Sequence, residues 1–119
     1  MSKAIVLFGH GSRDPLWRLP METVATRLRT LAPGVPVRCA YLELQQPDLG
    51  SAAGELVAAG ATEVTIVPMF LGAGRHARED LPELVRAMQQ ARPDVRFVLQ
   101  APIGEDARVV ELIARIAME

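Results

Sequence analysis

Four short apolar runs, each followed by apolar residues at helical spacing, most constrain what this 119-residue chain can fold into. Ile5-Val6-Leu7-Phe8 is unbroken and ends at Gly9, the pattern of a buried strand. Met21, Val24, Ala25, Leu28 and Leu31 then recur at helical intervals; Pro20 suits the first turn, and Pro33-Gly34 stops the helix. Val37 to Leu42 reads as a second strand. Gln46-Pro47-Asp48 opens a helix with Leu49, Ala52, Ala53, Leu56 and Val57 on one face, ended by Gly60. Val64 to Val67 is a third strand, limited by Pro68. A loop of glycine and charge runs from Gly72 to Arg78. Asp80 and Pro82 mark the start of the next helix, with Leu81, Leu84, Val85 and Met88 on one stripe. Val95 to Leu99 is a fourth strand, and Val109, Leu112, Ile113, Ile116 and Ala117 pattern a last helix.

Strict alternation implies parallel strands joined by right-handed crossovers, with helices on both faces. The expectation is α/β: one three-layer α/β/α domain over residues 1–119 with a four-stranded parallel sheet. The first and third strands have cores without charge, whereas the second and fourth carry Arg38 and Arg96. Charged strands belong at the edges, which predicts the order 2-1-3-4. The connection then reverses direction between the first and third strands, and the crevice outside their carboxyl ends is the expected ligand site.

Composition removes several function classes. Thirteen basic against 14 acidic residues give a net charge of -1, without the basic excess of a general nucleic-acid binder. The single cysteine, Cys39, excludes an internal disulfide framework and suits a reducing compartment. No apolar run approaches the ~20 residues that span a bilayer. Nothing in Met1 to Phe8 reads as a signal peptide, so a cytoplasmic location is expected.

Both histidines fall at the predicted crevice. His10 lies in Gly9-His10-Gly11-Ser12-Arg13-Asp14 and His76 in Gly74-Arg75-His76-Ala77-Arg78. Each follows a strand and is flanked by glycine and arginine. Capping a helix or bonding a carbonyl is the competing role for either one. Together, neutral imidazoles could hold a divalent metal and leave positions for water or substrate. Two ligands make a weak site, suited to a metal that must be given away. Glu43, after the second strand, could approach the same rim to take protons or complete a metal site; an ordinary exposed glutamate is the alternative. Arg13, Arg75 and Arg78 favour an anionic ligand, unless they are only solvated charge. Asp14 could pair with one of them or cap the following helix, and Trp17 reads as a helix packing residue.

Other chemistries fail on spacing. Gly72-Ala73-Gly74 lacks the third glycine of a dinucleotide fingerprint, and no Walker Lys-Ser/Thr pair exists. Ser12 is not in a Gly-x-Ser-x-Gly elbow, and no arginine directly precedes His10 as in histidine phosphatases.

Phe8-Gly9-His10-Gly11-Ser12-Arg13-Asp14-Pro15 resembles the amino-terminal motif of the class II chelatases that act on sirohydrochlorin. Tyr41-Leu42-Glu43-Leu44 followed by Pro47 is similar to that family's second motif. Val67-Pro68-Met69-Phe70-Leu71, Gly74-x-His76 and Asp80-Leu81-Pro82 resemble the third, and Ala101-Pro102-Ile103-Gly104 the fourth. Order and spacing match across essentially the whole chain, in the short form of the family. The resemblance implies a chelatase-like fold and a lyase-class enzyme. It would insert cobalt, with ferrous iron or nickel as alternatives, into a sirohydrochlorin-type tetrapyrrole for cobalamin or sirohaem biosynthesis. His10 and His76 would be the metal-site histidines and Glu43 a third catalytic residue, with Arg13, Arg75, Arg78 and Ser12 toward the carboxylate-rich substrate. No nucleotide or redox cofactor is implied. The resemblance also implies a homodimer that reproduces the two-domain arrangement of longer members, with His10 and His76 of both subunits around one cavity. A metal or tetrapyrrole carrier of the same fold, or a hydrolase using His10 and Ser12, are the alternative functions.

Overall fold

A computed structural model describes residues 2–119. The elements are β1 (Lys3–Gly9), α1 (Leu19–Leu31), β2 (Val37–Tyr41), α2 (Leu49–Ala58), β3 (Glu63–Pro68), α3 (Arg75–Ala91), β4 (Arg96–Leu99), a 3-10 turn (Ile103–Glu105) and α4 (Ala107–Ala117). The strands form one parallel sheet in the order β2-β1-β3-β4. The edge charges behave as expected: Arg38 on β2 and Arg96 on β4 are exposed and face Glu55 (3.7 Å) and Glu63 (3.4 Å).

The period-2 alternation of β1 feeds two apolar layers. Ala4, Val6 and Phe8 point to the face covered by α2 and α3, where Leu49, Leu56, Leu81 and Val85 pack on them. Leu7 points to the opposite face and meets Met21 and Ala25 of α1, with Val37 and Tyr41 of β2. Each fully buried Leu or Phe here contributes about 1.5–3 kcal/mol. At the start of α2, Asp48 Oδ1 accepts the Ser51 N–H (2.8 Å), which satisfies one of the first-turn donors.

Several boundaries differ from those the sequence predicts. The segment from Arg75 to Arg78 is not loop: α3 begins at Arg75, with Gly74 as an extended N-cap and the Arg78 N–H on the Gly74 carbonyl (3.0 Å). Asp80 and Pro82 therefore lie inside the helix rather than at its start. Pro82 has no N–H to offer the Arg78 carbonyl, a loss tolerated because it faces solvent. The β2 ladder ends at Tyr41, one residue short of Leu42. Trp17 is not a helix residue; it lies in the turn before α1, its ring 6.1 Å from that of Tyr41. The apolar stripe of α4 is well formed but buries nothing: Leu112, Ile113 and Ile116 are all exposed.

Candidate functional site

The loops after β1 and β2 are tied together beyond the ends of their strands. The Leu42 N–H donates to the Gly9 carbonyl (2.9 Å) and the Glu43 N–H to the His10 carbonyl (3.1 Å). Gly11 makes that approach possible. Its φ is +94°, and a Cβ on it would lie 1.8 Å from the Glu43 carbonyl oxygen. One residue further, the Ser12 N–H donates to Oε1 of Gln45 (2.9 Å). The backbone thus holds His10 beside Glu43, and both side chains are exposed.

Ser12 and Asp14 have local work. Ser12 Oγ accepts the Asp14 N–H (3.0 Å), and Asp14 Oδ1 accepts the Leu16 N–H (2.9 Å), so both shape the turn leading to α1. Asp14 makes no ion pair with an arginine among the described residues and does not cap α1, whose N-cap is Arg18. No hydrogen bond joins Ser12 to His10 among the described residues. The nucleophile–base pair that a hydrolase would need is therefore not formed.

The third loop arrives from β3. The Met69 N–H donates to the Phe8 carbonyl (2.7 Å), continuing the β1–β3 pairing past Pro68. Phe70 follows, and its ring stacks on the His10 imidazole with centroids 4.2 Å apart and planes at 30°. The turn after β4 closes on the same segment: the Gly104 N–H donates to the Phe70 carbonyl (2.9 Å). A Cβ on Gly104 would sit 2.1 Å from the Leu71 carbonyl oxygen. All four motif segments therefore meet at the carboxyl end of the sheet.

His76 is the second residue of α3 and lies one helical turn before Asp80. The two line an apolar cavity of about 280 Å³ with Phe8, Leu42, Leu81 and Leu84. Arg78 is on the other flank of α3, lining a groove of about 300 Å³ with Phe70, Pro82 and Leu99. Arg75 is exposed and pairs with Glu79 at 3.2 Å. Helical spacing puts His76 and Arg78 on different flanks of α3, with Arg75 one turn before Arg78, which a loop reading of that segment could not anticipate. Among the described residues, no three His, Cys, Asp or Glu side chains come close enough together to hold a metal. Glu43 therefore completes no three-donor site with His10 and His76 within this chain. Cys39 lies on the α1 face, where burial pushes its thiol above the ordinary value.

Gln45, Phe70 and Gly104 are site residues that sequence reasoning left without a role. Gln45 resembles any exposed loop amide, and Phe70 reads as the tail of an apolar run. The available signals were the third and fourth motifs, which contain Phe70 and Gly104.

A parallel sheet whose order reverses between β1 and β3, with a histidine in the segment that follows each of those two strands, defines an α/β protein with a crevice at the carboxyl end of its sheet. The chain belongs to the CbiX family, whose model matches residues 4–119. A sirohydrochlorin cobaltochelatase of Methanopyrus kandleri is 26% identical, over 92% of this chain and 91% of its own length. A sirohydrochlorin ferrochelatase of Bacillus subtilis is 35% identical, over 95% of this chain but 43% of its own length. The crystal structure of the sirohydrochlorin chelatase SirB from Bacillus subtilis subspecies spizizenii, in complex with cobalt, superposes with a TM-score of 0.80 at 29% identity, covering 99% of this chain and 50% of that one. The chain thus spans nearly all of the archaeal relative and about half of the two Bacillus proteins.

Proposed function

We propose that this protein is a sirohydrochlorin metal chelatase that inserts a divalent ion into the tetrapyrrole, with His10 and His76 receiving the metal. The observation that carries this reading is the meeting of the His10 and Phe70 segments at the β1–β3 reversal, with His76 in the first turn of α3, the helix that follows the β3 loop. The names of the relatives, sirohydrochlorin cobaltochelatase and ferrochelatase, support the substrate class. Cobalt is the favoured ion, supported by the name of the archaeal relative of like length; ferrous iron and nickel also accept imidazole ligands. Glu43, tied to His10 through the backbone, is the carboxylate best situated to take a pyrrole proton. The acting unit is the single domain 1–119 in the cytoplasm, and no nucleotide or redox cofactor enters the reaction. Incubation with sirohydrochlorin and Co2+ should change the tetrapyrrole absorption at a rate that depends on the protein. Bound tetrapyrrole without turnover would identify a carrier instead.

Arg78 borders the groove beside Phe70, whereas Arg75 already has Glu79 as a partner. Arg78→Ala and Arg13→Ala are therefore expected to raise KM for sirohydrochlorin up to about fivefold, the range of an exposed ion pair. Arg75→Ala should do less, and KM for metal should stay unchanged in all three. Steady-state kinetics with each substrate varied in turn checks this. Equal KM values for sirohydrochlorin across the set remove the arginines from substrate binding.

The acting form is a homodimer in this reading, and α4 supports it. Val109, Leu112, Ile113 and Ile116 share one helix face, with Leu112 58% and Ile116 59% exposed. α4 leans on the 3-10 turn rather than on the sheet, and an apolar stripe of this kind needs cover. A second copy is the occupant favoured here, because the Bacillus relatives are about twice this length. Light scattering should give twice 12.9 kDa for the wild type and a monomer for Ile116→Glu. A wild-type monomer that stays active on dilution removes the required dimer.

A further inference from the structure

We infer that Phe70 is the positioning residue for His10, orienting the imidazole by stacking where metal-binding histidines ordinarily rely on a hydrogen bond. A ligating histidine usually donates its second ring N–H to a carboxylate or carbonyl, which fixes the ring and raises its basicity. His10 has no such partner: among the described residues, neither ring nitrogen makes a hydrogen bond or ion pair, although its backbone carbonyl is held by Glu43. What the ring does touch is Phe70, with centroids 4.2 Å apart and planes at 30°.

Phe70 is built as a rigid plate. It is 4% exposed, and its ring meets that of Phe8 at 6.1 Å and 66°, an edge-to-face contact. Its backbone is held on both sides, by Met69 N–H on the Phe8 carbonyl and by Gly104 N–H on the Phe70 carbonyl. The exposed imidazole therefore lies against a buried, immobile ring and keeps both nitrogens available. Stacking fixes the plane of the ring and leaves neither nitrogen committed to a protein partner. This suits a site that must release its metal to a macrocycle, and in that respect the inference rests on the chelatase reading.

The test compares Phe70→Leu, which keeps apolar bulk but removes the aromatic face, with Phe70→Tyr, which keeps the face. Ring protons of His10, followed by NMR without metal or tetrapyrrole, should move downfield in Phe70→Leu as the ring current is lost, and stay near wild type in Phe70→Tyr. Co2+ affinity, read from the visible spectrum, should fall about tenfold in Phe70→Leu and recover in Phe70→Tyr. Insertion should lose kcat rather than raise KM for sirohydrochlorin. Unmoved His10 resonances in folded Phe70→Leu overturn the inference, as does unchanged Co2+ affinity once the stack is lost, or an affinity loss that Phe70→Tyr fails to restore. The NMR and Co2+ measurements need no turnover, so failure of the chelatase reading is seen separately, as a wild type that inserts no metal.

Discussion

His10→Ala and His76→Ala are each expected to lower the rate of Co2+ insertion about 100-fold or more while leaving the protein folded. The two properties separate because both side chains are exposed. Truncating an exposed residue ordinarily changes stability by less than about 0.5 kcal/mol. His76 has helical backbone in the first turn of α3, a position alanine occupies easily. His10 loses its stack on Phe70, worth about 0.5–1.5 kcal/mol, so a slightly lower melting temperature is expected for that variant alone. Insertion kinetics, thermal melting and a Co2+ titration on the same preparations check the pair. Wild-type insertion by either folded variant removes that histidine from the metal site. Loss of activity in step with loss of structure would show a structural role instead.

The sheet was legible in the sequence because its strands carry their burial in their composition. β1 and β3 hold uncharged apolar cores, and the exposed Arg38 and Arg96 marked β2 and β4 as edges, so the strand order followed from charge alone. The start of α3 was not legible. Glycine and two arginines around His76 read as loop, yet Gly74 in an extended conformation is an N-cap, and the helix continues through Pro82, an exposed interior position where the ring removes one intrahelical hydrogen bond. That local difference decides the electrostatics of the site, since helical spacing puts His76 on one flank and Arg78 on the other. Contacts between distant segments were equally hidden. Nothing near His10 in the chain announces Phe70, and nothing near Ser12 announces Gln45. The stripe on α4 shows the opposite case: its amphipathic pattern is plain in the sequence, while the surface that would cover it is not supplied by the chain's own packing.

The two non-helical glycines with positive φ allow the loop clamp to be tested against a matched control. Gly11 (φ +94°) and Gly60 (φ +108°) impose a similar backbone penalty on alanine, about 1–2 kcal/mol. Around Gly60 there is nothing within 4 Å of an added Cβ, so Gly60→Ala should lower the melting temperature and leave kcat unchanged. At Gly11 the Cβ would lie 1.8 Å from the Glu43 carbonyl oxygen, so one of the two loops must move by more than an ångström. The bond from Glu43 N–H to the His10 carbonyl lies at the same place, and its loss costs about 1 kcal/mol more. Movement of that size in a positioned group lowers rates about 100-fold. Gly11→Ala is thus expected to lose insertion far beyond what its melting temperature explains, with Co2+ affinity falling as His10 is displaced. Equal kcat values for Gly11→Ala and Gly60→Ala would mean that the tie between the two loops has no part in aligning His10 and Glu43.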